Sequence, residues 1–410
     1  MQSSTAVPSP TELHRSLSKV TERLARELAS PSQAAPDWSE YEWTIARAVA
    51  AMHGISPLLS RLLPWRGPRT WTAFLDEQRT HTRARHWRIQ ELLRSIDRKA
   101  RETGVAAMAL KGAALHQLGL YEAGDRPMAD VDLLVRPPDV QRTADFLASL
   151  GFRQSGRTWK ERIFTPANDD SAAAEFGEHA ANSLKIELHE RICEKLPLYL
   201  TDVSESIFPP RPTPGLNGYP SNASLMRHLV LHAAGSMAFQ SLRILQLHDI
   251  ALLAGSMSDA DWKEIAGPGR PHPPMWWAYP PLELTSRYYE AAVPTSVLAA
   301  LREDCRFVLR ARAAKKSLVE VSYSYLWVKA FPGIEWSQSI GELLGFAASR
   351  VRPNAMHMDQ RKRDAASQTW AKQAEWSRLS QGRRILRWLT SRQTRPATMH
   401  AINAAFARVQ

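Results

Sequence analysis

Apolar residues recur every three or four positions through most of the first hundred residues, which is the spacing of one face of an α-helix. The clearest example lies between Thr11 and Ala29, where the apolar positions are Leu13, Leu17, Val20, Leu24 and Leu28. The same spacing predicts helices over 40–63, with an interruption at 54–57, and over 72–101. The chain therefore begins with a helical region.

The pattern changes after Gly104. An apolar run from Val105 to Leu110 predicts a buried strand, and a short amphipathic helix is predicted over 113–121. The turn-forming sequence Gly-Asp-Arg-Pro at 124–127 then leads into a second strand, Ala129 to Val135. A strand, a helix, a loop and a strand thus follow one another within about thirty residues, a typical length for such a unit.

Two carboxylates share one face of the second strand. Side chains alternate between the faces of a strand, so Asp130 and Asp132 project together, opposite Val131, Leu133 and Val135. Neighbouring anions on an otherwise apolar strand repel each other, and a hard divalent cation such as Mg2+ would relieve that repulsion. A solvated strand end is the alternative interpretation of an isolated Asp-x-Asp pair.

More short elements are predicted after residue 135. A helix is predicted over 140–150, and strands over 152–154, 160–165 and, less clearly patterned, 174–176. The last of the series, 184–189, alternates strictly between apolar and polar residues. Glu187 falls on its polar face and is the predicted third carboxylate, with a solvent-facing position on an edge strand as the alternative.

From residue 221 onwards the pattern is helical again, with predicted helices over 225–239, 242–253, 282–291, 294–316 and 318–330. A proline-rich linker spans 268–281. We divide the chain into five regions: a flexible N-terminal segment with one amphipathic helix, a helical lobe, a mixed α/β core, a helical domain and a basic tail. Their predicted limits are 1–36, 37–103, 104–215, 216–335 and 336–410.

The elements around the two aspartates form a longer motif. This motif resembles a large group of bacterial nucleotidyltransferases within the DNA polymerase beta-like superfamily, and the matching residues are Leu110, Lys111, Gly112, Tyr121, Arg126, Asp130, Asp132, Leu133, Leu134 and Val135. The resemblance implies an α/β (α+β) fold in which a mixed sheet is flanked by N- and C-terminal helical lobes. It also implies transfer of a nucleoside monophosphate from an NTP to an acceptor, with Mg2+ or Mn2+ as cofactor.

Candidate catalytic roles follow from the resemblance and from the chemistry of the reaction. Two divalent ions can activate the attacking oxygen and stabilise the leaving pyrophosphate, which requires carboxylates on rigid neighbouring strands. Asp130, Asp132 and Glu187 are the candidate catalytic residues and metal ligands. The resembled family has an acidic residue before Leu-His, and Glu187-Leu188-His189 matches that pattern.

Lys111, Gly112 and Arg126 are the candidate nucleotide-binding residues. A glycine at the start of a helix allows phosphate to approach the backbone, and both basic side chains can bind phosphate. The wider superfamily has Gly-Ser or Gly-Gly at this turn, so Lys111-Gly112 is a departure from its pattern. An Arg126 that pairs with Asp125 or Asp130 and only orders its loop is the alternative.

Several other polar residues have two interpretations each. His189 either neighbours the metal or hydrogen-bonds to backbone at a strand end. Asp249 resembles an aspartate in the family's helical lobe, where it could contact the nucleotide or another helix. His228 and His232 are four residues apart on a predicted helix, but a third ligand is not evident in the sequence, so a structural role is favoured.

The net charge of +12 is concentrated at the C-terminal end. Residues 350–410 contain 13 Lys and Arg against 3 Asp and Glu, a net +10, interspersed with Trp370, Trp376 and Trp388. Basic and aromatic residues together can bind single-stranded nucleic acid. They can equally form an amphipathic helix that packs on the protein or lies on a membrane surface.

Composition leaves two classes of function open. Apolar runs are too short for a transmembrane segment, the N-terminus lacks a secretory apolar region, and two cysteines are too few for a disulfide scaffold, so we expect a cytoplasmic protein. The first hypothesis is an enzyme that uses an NTP and an unknown small-molecule, peptide or protein acceptor. The alternative is a nucleic-acid- or protein-binding module that keeps the fold with little or no turnover. The three carboxylates favour the enzyme.

Overall fold

The computed structural model of the chain describes residues 9–168, 176–267, 273–352 and 379–408. Within these ranges the protein combines helices with a six-stranded mixed sheet and a small two-stranded sheet. The predicted α/β class is therefore confirmed, because helices precede the strands along the chain and further helices follow them. The strand predicted at 174–176 lies largely outside the described residues.

Four helices precede the sheet: α1 Pro10–Ala29, α2 Glu40–Met52, α3 Ser56–Leu62 and α4 Arg69–Glu102. The hydroxyl of Ser9 accepts a hydrogen bond from the backbone of Glu12 at the start of α1, and Ser39 with Glu42 forms a capping box at the start of α2. The predicted apolar face of α1 is confirmed, because all five of its leucine and valine positions are buried.

The sheet is built from strands on both sides of the predicted Asp-x-Asp strand. The strands are β1 Ala106–Ala109, β2 Asp130–Val135, β3 Phe152–Arg157, β4 Glu161–Pro166, β5 Lys185–His189, β6 Cys193–Lys195, β7 Leu200–Asp202 and β8 Gly215–Asn217. The large sheet has the order β3-β4-β5-β2-β1-β8, whereas β6 and β7 form the small sheet. The sequence pattern does not predict β6, β7 and β8, because three residues are too few to show an alternation.

Helices cover both faces of this sheet. The shorter helices within the core are α5 Gly112–Gln117, α6 Val140–Ser149 and α7 Ser204–Ile207. The apolar face of β2 packs with α4 and α6 in one hydrophobic cluster, to which Val131, Leu133 and Val135 belong. Leu134, on the opposite face of β2, belongs to a second cluster that extends into the later helices. The face that carries Asp130 and Asp132 is thus directed toward those helices.

The later helices are α8 Asn222–Ala238, α9 Ile244–Ala254, α10 Asp259–Ala266, α11 Tyr279–Ser286, α12 Thr295–Asp304, α13 Phe307–Lys315, α14 Leu318–Val321, α15 Ile340–Val351, α16 Gln381–Thr390 and α17 Pro396–Ala407. The predicted helices over 113–121 and 282–291 end earlier in the structure, at Gln117 and Ser286, and two others differ more. The one over 294–316 is divided by extended backbone at Cys305 and Arg306. The one over 318–330 stops at Val321, because Val321 and Tyr323 form backbone hydrogen bonds with Leu242 that a helix would not permit.

The last described residues return to the first helices. α17 packs against α2, where the rings of Tyr41 and Phe406 have centroids 5.7 Å apart. Just before α17, Arg395 donates from Nη1 to the carbonyl oxygens of Gln240 at 2.7 Å and Ser322 at 3.1 Å. Helices from both ends of the chain therefore share one hydrophobic core. The limits of the five regions stay a prediction.

Part of the basic tail thus packs on the protein. Trp370, Trp376 and the side chain of Trp388 lie outside what the structure describes, so binding of nucleic acid by the tail stays a prediction. Among the helices in the described ranges, none is both long and apolar enough to cross a membrane.

Candidate active site

Three carboxylates meet on one face of the sheet. β2 and β5 are adjacent and parallel, and their register places Asp132 beside Glu187 and Asp130 beside Lys185. Asp130 projects from the same face as Asp132 because the two residues are two positions apart on one strand. Potential ligand atoms of Asp132, Glu187 and His189 all lie within 4.8 Å of one another. The structure thus brings the three predicted carboxylates together and adds a histidine.

Asp132 is held as an anion by two neighbours. Its Oδ1 accepts hydrogen bonds from Lys111 Nζ at 2.8 Å and from His189 Nε2 at 3.0 Å. Burial acts to raise the pKa of Asp132, but Lys111 and His189 outweigh it and hold that pKa well below its usual range. The pKa of Lys111 is raised despite its burial, because Asp132 and Asp130 favour the ammonium form.

The other two carboxylates are not compensated in this way. Burial and the charge of Asp132 raise the pKa of Asp130. Burial, followed by the charges of Asp130 and Asp132, raises the pKa of Glu187 to about 9. A raised carboxyl pKa means that the anion is disfavoured. This face of the sheet therefore concentrates more negative charge than the neighbouring cations neutralise.

A fourth carboxylate, Glu161 on β4, escaped the sequence prediction. Glu161 lies opposite His189 in the pairing of β4 with β5, and its Oε2 is 3.8 Å from His189 Nδ1. This oxygen is buried and has no hydrogen-bond partner among the described residues. The ring of His189 therefore lies among three carboxylates, those of Asp132, Glu161 and Glu187, rather than bonding to backbone at its strand end. No local pattern shows this position, because it depends on which strands pair.

The turn at Lys111 and Gly112 has a strained backbone. Lys111 has φ 46°, a conformation rare for residues with a side chain, and its backbone N–H lies 3.4 Å from the hydroxyl of Tyr219. A Cβ on Gly112 would collide with the guanidinium of Arg126. Glycine is required here because Arg126 lies directly against the start of α5.

Arg126 is bound to Asp249 in a buried network. Its Nε and Nη2 donate to the two carboxylate oxygens of Asp249 at 2.8 and 2.7 Å, and the hydroxyl of Tyr121 donates to Asp249 Oδ1 at 2.7 Å. Arg126 therefore does not pair with Asp125 or Asp130, the two partners that the sequence suggests. Asp125 instead pairs with Arg61 and Arg79.

The carboxylates line a cavity of about 380 Å³ between the sheet and the helices α8 and α9. The charged residues of its sheet wall are Lys111, Asp130, Asp132, Lys160, Glu161 and Glu187. The polar residues of its helical wall are His232, Ser236, Ser241, Arg243, Gln246 and Asp249, together with Tyr323. A cavity of this volume can hold a small-molecule ligand.

A protein family described as uncharacterised nucleotidyltransferase matches residues 39–267, which is more than half of the 410 residues. The chain belongs to this family. No curated protein and no solved structure matches the chain. Family membership implies a nucleotide substrate, and the matched range contains every carboxylate of the cavity.

The donor atoms on the sheet side of this cavity suit a divalent cation. Carboxylate oxygens are the ligands that Mg2+ and Mn2+ prefer. Among the described residues, the hydrogen bonds to the Asp132 carboxylate end on Oδ1, and Glu161 contributes a buried oxygen without a partner. A cation would also relieve the repulsion that raises the pKa of Glu187.

His228 and His232 have separate partners. His228 Nδ1 lies 2.8 Å from the hydroxyl of Tyr219, and His232 Nδ1 lies 3.6 Å from Glu194 Oε1. Although burial acts in the opposite direction, His232 and Lys160 lower the pKa of Glu194 to about 2. These contacts join α8 to the segment after β8 and to β6 of the small sheet, in agreement with the structural interpretation of the pair.

Proposed function

We propose that the chain transfers a nucleoside monophosphate from an NTP to an acceptor in a reaction that depends on a divalent metal ion. Nucleotidyl transfer is an in-line displacement at phosphorus, so the protein mainly supplies position and charge neutralisation. The observation that carries the proposal is the group of Asp130, Asp132 and Glu187 on two paired strands at the wall of a ligand-sized cavity.

Asp130, Asp132 and Glu187 are the proposed metal ligands and catalytic residues. A bound Mg2+ or Mn2+ would supply Lewis-acid stabilisation of the charge that develops on the phosphate oxygens. His189 orients the carboxylate of Asp132 through its 3.0 Å hydrogen bond. Lys111 neutralises Asp132 in the absence of substrate and can transfer its hydrogen bonds to a phosphate when nucleotide binds.

Gly112 and Arg126 have a different proposed relation to the nucleotide. Arg126 is already bound to Asp249, so its main contribution is to fix the loop before β2 and the start of α5. Gly112 makes room for that arginine and leaves the backbone of the turn beside the cavity. Both residues therefore hold the Lys111 turn in its position at the nucleotide site.

The arrangement of strands supports a place in the DNA polymerase beta-like superfamily. Antiparallel β1 and β2 are joined through α5, and the aspartates lie at the start of β2 next to the acidic residue of β5. This is the element order that the sequence motif implies. The acceptor is proposed to be a small molecule, a peptide or a protein, since the basic tail alone does not specify nucleic acid.

Transfer can be tested with the four labelled NTPs and cell extract in the presence of Mg2+ or Mn2+. We expect label from at least one NTP to appear on an acceptor with the wild-type protein, and not with Asp132→Asn. Asp145→Asn, on the exposed side of α6, changes the net charge equally and is the matched control. Nucleotide binding with no transfer in any extract would support the binding module instead.

A further inference from the structure

One arginine of the cavity forms no close ion pair with any carboxylate that the structure describes, although its charge acts at longer range on Asp130 and Glu178. Four lysine and arginine side chains line the cavity, and three of them form ion pairs: Lys111 with Asp132, Arg126 with Asp249 and Lys160 with Glu194. The fourth is Arg243, which precedes α9. Among the residues that the structure describes, none places a carboxylate oxygen within 4.0 Å of its guanidinium.

The backbone around Arg243 is firmly held. Leu242 donates from its N–H to the carbonyl of Val321 and accepts from the N–H of Tyr323, both at 3.2 Å. The N–H of Arg243 itself donates to Gln246 Oε1 at 2.8 Å. Arg395, from the C-terminal segment, fixes the neighbouring carbonyls of Gln240 and Ser322. The position from which the side chain extends is therefore preorganised.

The guanidinium lies against an aromatic ring and remains accessible. Its central carbon is 5.4 Å from the centroid of the Tyr323 ring, and the Arg243 side chain is exposed at the cavity. A cation stacked on an aromatic face keeps its in-plane N–H donors free for a ligand. Arg243 is thus a positioned donor group on the helical wall, across from the carboxylates.

We infer that Arg243 binds the phosphate groups of the nucleotide, an inference that rests on the proposed function. A triphosphate adds negative charge to a site that already holds Asp130, Asp132 and Glu187, so a further cation beside the phosphates would stabilise the bound nucleotide. Of the two cations expected from the sequence to meet that charge, Arg126 is held by Asp249, and Lys111 can reach a phosphate only by leaving Asp132. The planar fork of an arginine matches two phosphate oxygens, which makes Arg243 the fitting partner for the phosphate tail.

Inorganic tripolyphosphate separates contact with phosphate from contact with the base. Its affinity and that of each NTP, all with Mg2+, can be measured calorimetrically for the wild type, Arg243→Ala and Arg243→Lys. Arg243→Ala should weaken both kinds of ligand by the same factor, roughly tenfold to a hundredfold, as expected for loss of charge-assisted hydrogen bonds. Arg243→Lys should bind with intermediate affinity, because it keeps the charge but loses the fork.

Arg310→Ala is the matched control. Arg310 also stacks on an aromatic ring, with its central carbon 5.5 Å from the centroid of Phe307, and it does not line the cavity. This variant removes the same charge and the same kind of contact, so it should bind both ligands as the wild type does. Melting temperatures of all variants verify that they are folded.

Four results would count against the inference. Arg243→Ala that binds tripolyphosphate as tightly as the wild type would show that Arg243 does not contact phosphate. A loss confined to NTPs would assign the residue to the base or sugar. A wild type that binds neither ligand with Mg2+ or Mn2+ would overturn the proposed function and this inference together. If Arg243→Ala has a lowered melting temperature, Arg243→Lys provides the test. Equal affinity of Arg243→Lys and the wild type for tripolyphosphate would show that the guanidinium does not bind two phosphate oxygens.

Discussion

The two walls of the cavity hold their carboxylates under opposite conditions. On the helical wall, Asp249 accepts two hydrogen bonds from Arg126 and one from Tyr121, so its charge is fully compensated. On the sheet wall, burial and mutual repulsion raise the pKa values of Asp130 and Glu187. The carboxylate of the helical wall therefore stabilises the fold. The carboxylates of the sheet wall lower the stability of the protein without a ligand and are placed to bind one.

The largest expected effect tests the functional side of this comparison. Asp130→Asn and Asp132→Asn should each lower nucleotidyl transfer roughly a thousandfold, because metal-ion stabilisation of a transition state is worth several kcal/mol. The measurement is transfer of label from the NTP identified in the extract assay, at saturating metal. Asp145→Asn should keep wild-type activity, and a similar loss in that control would point to a general charge effect.

The next effect tests the structural side. Asp249→Asn leaves the buried guanidinium of Arg126 without its counterion, which should cost about 3–5 kcal/mol of the unfolding free energy. Urea denaturation measures this loss. Glu91→Gln, which breaks the exposed pair of Glu91 with Arg94, should cost less than about 1 kcal/mol. Equal losses in the two variants would contradict the contrast between the walls.

The two walls also differ in what the sequence reveals. The period of two places Asp130 and Asp132 on one strand face and Glu187 on the polar face of another strand, and the resemblance to nucleotidyltransferases implies their catalytic role. The helical wall depends on contacts between residues that are distant in the sequence, since Arg126 and Asp249 are 123 residues apart. The sequence alone does not show which of the many acidic residues pairs with this arginine. The identity of the pair follows only from the packing of α9 against the loop before β2.

Fold prediction failed where tertiary contacts overrule local periodicity. The sequence from Leu318 onwards has helical spacing, yet the helix ends at Val321 because the backbone there pairs with Leu242. This pairing creates the contact between Arg243 and Tyr323. The charge of the C-terminal tail likewise does not show which of its residues pack on the protein, and Arg395 binds carbonyl oxygens of the core.

A second compensated network beside the helical wall should respond to pH. His53 Nδ1 accepts from the N–H of Ile244 at 3.0 Å, and its Nε2 lies 2.8 Å from Ser324 Oγ, to which it donates. Burial, with a smaller contribution from Arg243, lowers the pKa of His53 from 6.5 to about 3. Protonation of Nδ1 would break the bond to Ile244, so the folded state keeps the neutral ring.

The pKa of His53 is lower in the folded state than in the unfolded state, so the unfolded state binds the proton first as pH falls. Stability contributed by His53 is complete above pH 6.5 and is lost as pH falls toward 3, by about 2 kcal/mol at pH 5. His53→Gln removes this titration, so its unfolding free energy should depend less on pH between 7 and 5. Parallel pH profiles for the two proteins would contradict the expectation.

The smallest expected effect compares two positions on the sheet wall itself. Burial and Asp132 raise the pKa of Asp130, so without metal the folded state is destabilised by the charge of this carboxylate. Asp130→Asn removes that charge and should stabilise the folded state. The melting temperature should rise by roughly 1–3 °C, the shift that about 1 kcal/mol produces in a protein of this size. Asp132→Asn should lower the melting temperature by a comparable amount, because Lys111 loses its hydrogen-bond partner at 2.8 Å while Asp130 and Glu187 still offset its charge.

Both variants can be compared with the wild type by thermal denaturation, first in a chelator and then with Mg2+. Metal should stabilise the wild type by mass action and should stabilise either variant less, since each lacks one proposed ligand. In chelator, Asp130→Asn should therefore have the highest melting temperature, the wild type an intermediate one and Asp132→Asn the lowest. Mg2+ should raise the melting temperature of the wild type more than that of either variant. Equal destabilisation of the two variants in chelator, with no response of the wild type to Mg2+, would mean that Asp130 and Asp132 are structural residues like Asp249.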